Sequence, residues 1–167
     1  WAARNDYDYQ LVNTYSGHDF FPTDGIDNAG RNYALERFFH FNSHHSVTVY
    51  LDLDVYVSKE APPIPEVAGV MAVDVSNDYV QTRQKFIENY PEYGEKVRYV
   101  NSGVLMADRE GAAHLSDYFR NRVDQKIYPR GFQMDETMLN EYFNRYPDKV
   151  GYLDPRWNFC PGLSSEN

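Results

Sequence analysis

The sequence has one cysteine, two tryptophans and no long apolar run, and each shortage excludes something. A lone Cys160 cannot form an internal disulfide, and so few thiols suit a reducing compartment. No stretch approaches the roughly 20 apolar residues that cross a bilayer, and no basic-then-apolar leader precedes Trp1, so the expectation is a soluble, cytoplasmic protein with no membrane segment. Basic charge is short as well: 16 Lys and Arg stand against 25 Asp and Glu, for a formal charge of -9. Such a chain repels nucleic-acid phosphates and anionic lipid, so a nucleic-acid partner is not expected. A phosphorylated ligand has to arrive with a cation or meet locally placed positive charge. What is present is enough for a core: 167 residues, 42% of them hydrophobic, make one domain that buries roughly two-thirds of its unfolded surface.

Hydrophobic patterning alternates between two periods. YDYQLVNTY at residues 7–15 mixes aromatic and aliphatic residues as a strand does, and SGHDFFPTDG then reads as loop. Ala34, Phe38 and Phe41, with Leu35 and Phe39 beside them, recur at helical spacing, so a helix is expected from a cap at Asp27 or Asn28 to about Phe41. Three apolar strands follow: the run that ends at Asp52, VAGVMAVDV at 67–75, and RYVNSGVLMADR at 98–109, which breaks for Asn101, Ser102 and Gly103. Helical spacing recurs through Tyr79 to Tyr90, through Leu115 to Val123 and through Met134 to Phe143. Strands apolar throughout and alternating with helices predict an α/β fold whose mainly parallel mixed sheet carries helices on both faces.

In such sheets ligands gather where strands end. VTVYLDLDVYVS, at 47–58, ends its apolar run with Asp52 and Asp54, one residue apart. Two hard oxygen donors on adjacent loop positions can hold a divalent cation with open coordination sites, which a diphosphate can fill. Turn or capping acids are the plainer reading. A hydrophobic run followed by Asp-x-Asp also opens the haloacid-dehalogenase phosphatases, in which the first acid is a nucleophile. There the motif sits on the first strand, whereas here a strand and a helix are expected before it, and Val55 and Tyr56 replace the usual Gly-Thr.

Six segments, WAARNDYDYQLVN, VTVYLDLDVYVS, VAGVMAVDV, RYVNSGVLMADR, FQMDETMLNEYF and LDPRWNF, resemble in that order those of GT-A nucleotide-sugar glycosyltransferases. The closest likeness is to glycosyltransferase family eight, the group of glycogenin and bacterial lipopolysaccharide galactosyltransferases. The resemblance covers residues 1–159 and implies a single GT-A (Rossmann-like) domain. It implies that Asp52 and Asp54 bind Mn2+ (or Mg2+) with the donor diphosphate. It also implies that Asn101, Ser102 and Gly103 contact the donor sugar, and that Asp135 and Glu136 lie beside the anomeric carbon. The partners implied are a nucleotide-sugar donor, of the uridine-diphosphate type, and a glycan or other hydroxyl acceptor, with anomeric configuration retained. Glu136 stands where the family has Gln, and a carboxylate there can act as nucleophile or orient the acceptor. The family's first strand has no counterpart before Trp1, and its C-terminal His-x-x-Gly-x-x-Lys-Pro-Trp segment is absent after Asn158.

The residues also carry meaning without the family. Glycine inside a strand admits a ligand close to the backbone, and asparagine offers both donor and acceptor to hydroxyl groups. Gly103 can equally mark a bulge, and acids at 135 and 136 suit a helix's first turn whatever their function. Arg31 and Arg37 are candidates for donor phosphate or sugar contact, or are solvated helix charges. Trp157 with Asn158 reads as a sugar platform or as packing. The five histidines show no metal-ligand spacing beyond the adjacent His44 and His45. Besides the transferase, a phosphatase and a non-catalytic carbohydrate-binding module remain open.

Overall fold

The computed structural model describes residues 1–9, 37–41, 44–127 and 134–158. Among the described residues four strands form one mixed sheet: β1 Val47–Leu51, β2 Val70–Asp74, β3 Val100–Asp108 and β4 Val150–Leu153, in the order β1-β3-β2-β4. The helices are α1 Val80–Asn89, α2 Arg109–Asp124 and α3 Met134–Arg145. Among the described residues no helix is long and apolar enough to cross a membrane.

Strand direction differs from the expectation of a mainly parallel sheet. β3 is antiparallel to both β1 and β2, and the parallel pair is β2 with β4. Continuous apolar runs were the basis for expecting parallel strands, but such runs require only that both faces be buried. β3 meets that condition, whereas every residue of the edge strand β1 is only part-buried. On β3, Leu105 and Ala107 join one hydrophobic cluster while Val104 and Met106 join a second, the alternation of a strand with two packed faces. The first cluster takes Leu115 and Phe119 from α2 and Leu139 and Tyr142 from α3; the second takes Phe86 from α1 together with Tyr90, Val97 and Tyr99.

Three further expectations change. Residues 7–9 are not strand, and the rest of the 7–15 segment lies outside the described residues. Of the helix expected up to Phe41, Arg37–Phe39 forms a short 3-10 turn, and the part before Arg37 lies outside the described residues. β4 was not anticipated, since four residues that include Gly151 carry too little periodicity to be seen.

α2 begins where its chemistry tells it to. Asp108 ends β3 and caps the helix, its carboxylate accepting from the Gly111 N–H at 2.7 Å. Its other oxygen accepts from the Gly69 N–H at 2.8 Å, so one side chain joins strand end, helix start and the entry to β2. Asn140 ties α3 to β3. Fully buried, it accepts from the Val100 N–H at 2.7 Å and donates from Nδ2 to the Val100 carbonyl at 2.9 Å. The same Nδ2 donates to the Glu136 carbonyl one turn earlier. The first turn of α3 is thereby fixed next to Asn101.

Asn140→Leu keeps the volume and removes all three side-chain bonds, leaving the buried N–H and C=O of Val100 without them. A destabilisation of about 2–4 kcal/mol is expected in urea unfolding. A change under about 0.5 kcal/mol would show that Asn140 does not set this packing.

Candidate functional site

The feature that shapes the site is an irregularity in the pairing of β3. Ala72 of β2 faces Leu105, but the next residue, Val73, faces Asn101. Ser102, Gly103 and Val104 therefore have no partner on β2, and the strand bows there. On its other edge Val104 pairs with Leu51, and the Asp52 N–H donates to the Gly103 carbonyl at 2.9 Å. Two motifs about fifty residues apart in sequence thus share a backbone hydrogen bond. Gly103 has a steric role here: a β-carbon at this position would lie 3.0 Å from Asn101 Oδ1 and 3.4 Å from Asp52 Oδ2.

Arg37 closes the site from the far side. Its neighbour Phe38 is fully buried and stacks on Phe119 of α2, ring centroids 3.9 Å apart, which anchors the short turn that carries the guanidinium. Arg37 donates to Asp52 Oδ1 at 3.1 Å and to Ser102 Oγ at 2.9 Å, and forms a close ion pair with Asp135. Tyr50 donates to the same Asp52 oxygen at 2.5 Å. Asp52 Oδ1 is therefore fully engaged, while Oδ2 makes no hydrogen bond among the described residues. Asn101 Oδ1 accepts from the Gly103 N–H at 2.8 Å and from Asn158 Nδ2, while its own amide N–H groups make no hydrogen bond among the described residues.

Asp54 is placed differently. The Val55 N–H donates to the Asp52 carbonyl at 3.0 Å and closes a tight turn, which leaves Leu53 and Asp54 at its exposed tip. No hydrogen bond or ion pair joins Asp54 to the other site residues among the described residues. Trp157 packs against the second cluster and meets Trp1 edge-on at 6.4 Å, so its ring is engaged in packing while Asn158 reaches into the site. Arg31 lies outside the described residues. Among the described residues no group of three His, Cys, Asp or Glu side chains is arranged to hold a metal ion.

Glu136 sits behind Asp135 in the first turn of α3 and is 8% exposed, with Oε1 unpaired among the described residues. Burial, reinforced by the neighbouring Asp135 charge, pushes its carboxyl up to about 7, against the pull of the Tyr99 hydroxyl and Arg37. Burial and the bond to Asp52 likewise push the Tyr50 hydroxyl up to about 12, so it stays a donor at any working pH.

Sequence reasoning missed Tyr50 and Tyr99. For Tyr50 a signal existed: it lies two residues before Asp52, and in an extended segment that spacing puts both side chains on one face. For Tyr99, one of fifteen tyrosines, there was none.

Compared with protein-family models, with curated proteins and with solved structures, the chain finds no match. The chemical reading therefore rests on the geometry. Three carboxylates, Asp52, Asp135 and Glu136, surround one guanidinium, and a fourth, Asp54, stands at the rim. The surplus is negative, and it suits a cation or a proton-sharing acid better than a bare anion.

The raised Glu136 carboxyl makes stability depend on pH. Its folded value lies above the ordinary 4.5, so the native state keeps a proton that the unfolded chain releases, and stability falls as pH rises from about 4.5 to 7. Glu136→Gln should match the parent near pH 4.5 and exceed it by about 2–3 kcal/mol at pH 8. Parallel unfolding curves with no pH-dependent gap would contradict this.

Proposed function

We propose that the chain is a metal-dependent glycosyltransferase of the GT-A type, moving a hexose from a nucleoside-diphosphate sugar to a glycan or other hydroxyl acceptor with retention. In this reading the mixed sheet is the centre of a GT-A domain with helices over both faces, and the protein is cytoplasmic. The observation that carries the reading is the meeting of Asp52, Gly103, Asn101 and Asp135 around Arg37. Residues chosen from four separate stretches of sequence share one site.

The donor set fits a hard cation of a particular kind. Asp52 Oδ2 and the exposed Asp54 carboxylate would supply two oxygen ligands, which suits Mn2+ or Mg2+ that brings water and phosphate oxygens of its own. When bound, the ion would neutralise charge on the departing diphosphate. The chain's own groups then act as follows. Arg37 offers a second positive charge at the site where that charge develops. Gly103 lets the Asp52 and Asn101 side chains close in on the strand, the Asn101 amide donates to a sugar hydroxyl, and Ser102 holds Arg37 in place. Transfer breaks the bond between the anomeric carbon and the diphosphate oxygen and forms one to the acceptor oxygen on the same face, the acceptor's proton leaving with the diphosphate. Glu136, which changes charge near neutral pH, suits orientation of the acceptor, or attack on the anomeric carbon as a nucleophile that the acceptor then displaces.

The phosphatase reading is less favoured, because Val55 and Tyr56 stand where that motif has Gly-Thr.

A panel of nucleotide sugars with manganese, scored by release of nucleoside diphosphate, tests the proposal. Turnover with at least one donor is expected, falling by roughly 100-fold in Asp52→Asn. Release of phosphate from an aryl phosphate with magnesium, and no nucleotide release from any donor, would replace this reading with the phosphatase.

A further inference from the structure

Tyr50 takes no part in the proposed transfer, yet its hydroxyl lies closer to Asp52 than the Arg37 guanidinium does, 2.5 Å against 3.1 Å. The ring is pinned. Tyr50 pairs with Leu105 across the β1 and β3 ladder, packs against the first hydrophobic cluster with Phe41 at 6.2 Å, and lies under the Arg37 guanidinium at 5.3 Å. Arg37 Nη1 also donates to the Tyr50 hydroxyl oxygen at 3.5 Å, which leaves the hydroxyl proton for Asp52.

The two oxygens of Asp52 are thereby made unlike. Oδ1 accepts from Tyr50 and from Arg37, one bond for each of its lone pairs. Oδ2 makes no hydrogen bond among the described residues and lies over Gly103, 3.4 Å from where a β-carbon would stand. This side chain is 34% exposed, so Oδ2 can be approached from solvent. Asp52 presents one oxygen to a ligand, and the other is held back.

The number of oxygens a carboxylate presents decides which hard cation it suits. Ca2+ gathers about 6–8 oxygens at roughly 2.3–2.6 Å and readily takes both from one carboxylate, whereas Mg2+ keeps a near-ideal octahedron at about 2.0–2.1 Å and retains several waters. Mn2+ also takes octahedral oxygen sites. Building on the metal-dependent reading above, we infer that Tyr50 is a positioning residue that makes Asp52 a one-oxygen ligand and so selects Mn2+ or Mg2+ over Ca2+. Loss of the hydroxyl opens a lone pair on Oδ1, which gives Ca2+ a second oxygen and deprives the smaller ions of a fixed one.

The experiment is calorimetric titration of the full chain with UDP in the presence of Mn2+, Mg2+ or Ca2+ in turn. The parent should bind UDP at least about tenfold more tightly with Mn2+ than with Ca2+, and Tyr50→Phe should bring the two within about threefold. Phe41→Leu loosens the packing behind the Tyr50 ring but keeps the hydroxyl, so it should retain the parent's ratio; circular dichroism verifies the fold of both variants. Any of three results would overturn the inference: Ca2+ serving the parent as well as Mn2+, Tyr50→Phe leaving the ratio unchanged even where binding weakens with every ion, or Phe41→Leu narrowing the ratio as far. In each of these UDP binding still depends on a metal and the transferase reading stands. UDP binding indifferent to all three ions removes that reading and the inference with it.

Discussion

One buried asparagine fixes the geometry on which the candidate site depends. Asn140 holds both backbone polar groups of Val100 and the carbonyl of Glu136, so α3 cannot slide or turn on the sheet without breaking bonds in a region closed to water. Its neighbours in sequence inherit that position: Asn101 follows Val100 directly, and Asp135 and Glu136 lie one turn before Asn140. The bowed part of β3 then brings Gly103 under Asp52, and Arg37 bridges the two sides. Strand, helix and turn each contribute one part, and the asparagine sets the distance between them.

Electrostatics explain how an acidic protein tolerates this cluster. Arg37 is 9% exposed at its side chain and carries one charge against Asp52 and Asp135. Burial works against its ionisation, yet Asp135, Tyr50 and Asp52 more than offset that and keep it charged. Glu136 relieves the remaining repulsion by holding a proton to near neutral pH. A buried pair of this kind adds little net stability, because desolvation consumes most of the attraction. Its use is to hold charged groups in fixed places where a ligand can exploit them. In the proposed reading, the excess of carboxylate over guanidinium would draw a cation, and Arg37 would meet a phosphate.

Much of this was legible in the sequence, for reasons that can be named. The apolar run ending at Asp52, the break at Asn101 to Gly103 and the acids opening α3 are local signals, and each element stands where its pattern put it. Strand direction was not legible, because burial on both faces produces the same apolar run in parallel and antiparallel strands. β4 was too short to show a period. The close approach of Asp52 to Gly103 is a long-range pairing that neither stretch encodes alone. Asp54 looked equivalent to Asp52 in the motif, but the turn closed by Val55 sets it at an exposed tip. Trp157 could not be assigned between sugar platform and packing until Trp1 and the second cluster were seen around it.

The central claim is that Asp52 and Asp54 hold a cation that in turn holds a diphosphate. Calorimetric titration of the full chain with UDP, which supplies the diphosphate without committing to a sugar, tests it most directly. Heat should appear with manganese present, vanish with chelator, and vanish again in the double variant Asp52→Asn with Asp54→Asn once its fold is verified by circular dichroism. UDP binding that is indifferent to both the metal and the two carboxylates would contradict the account, as would no binding at all.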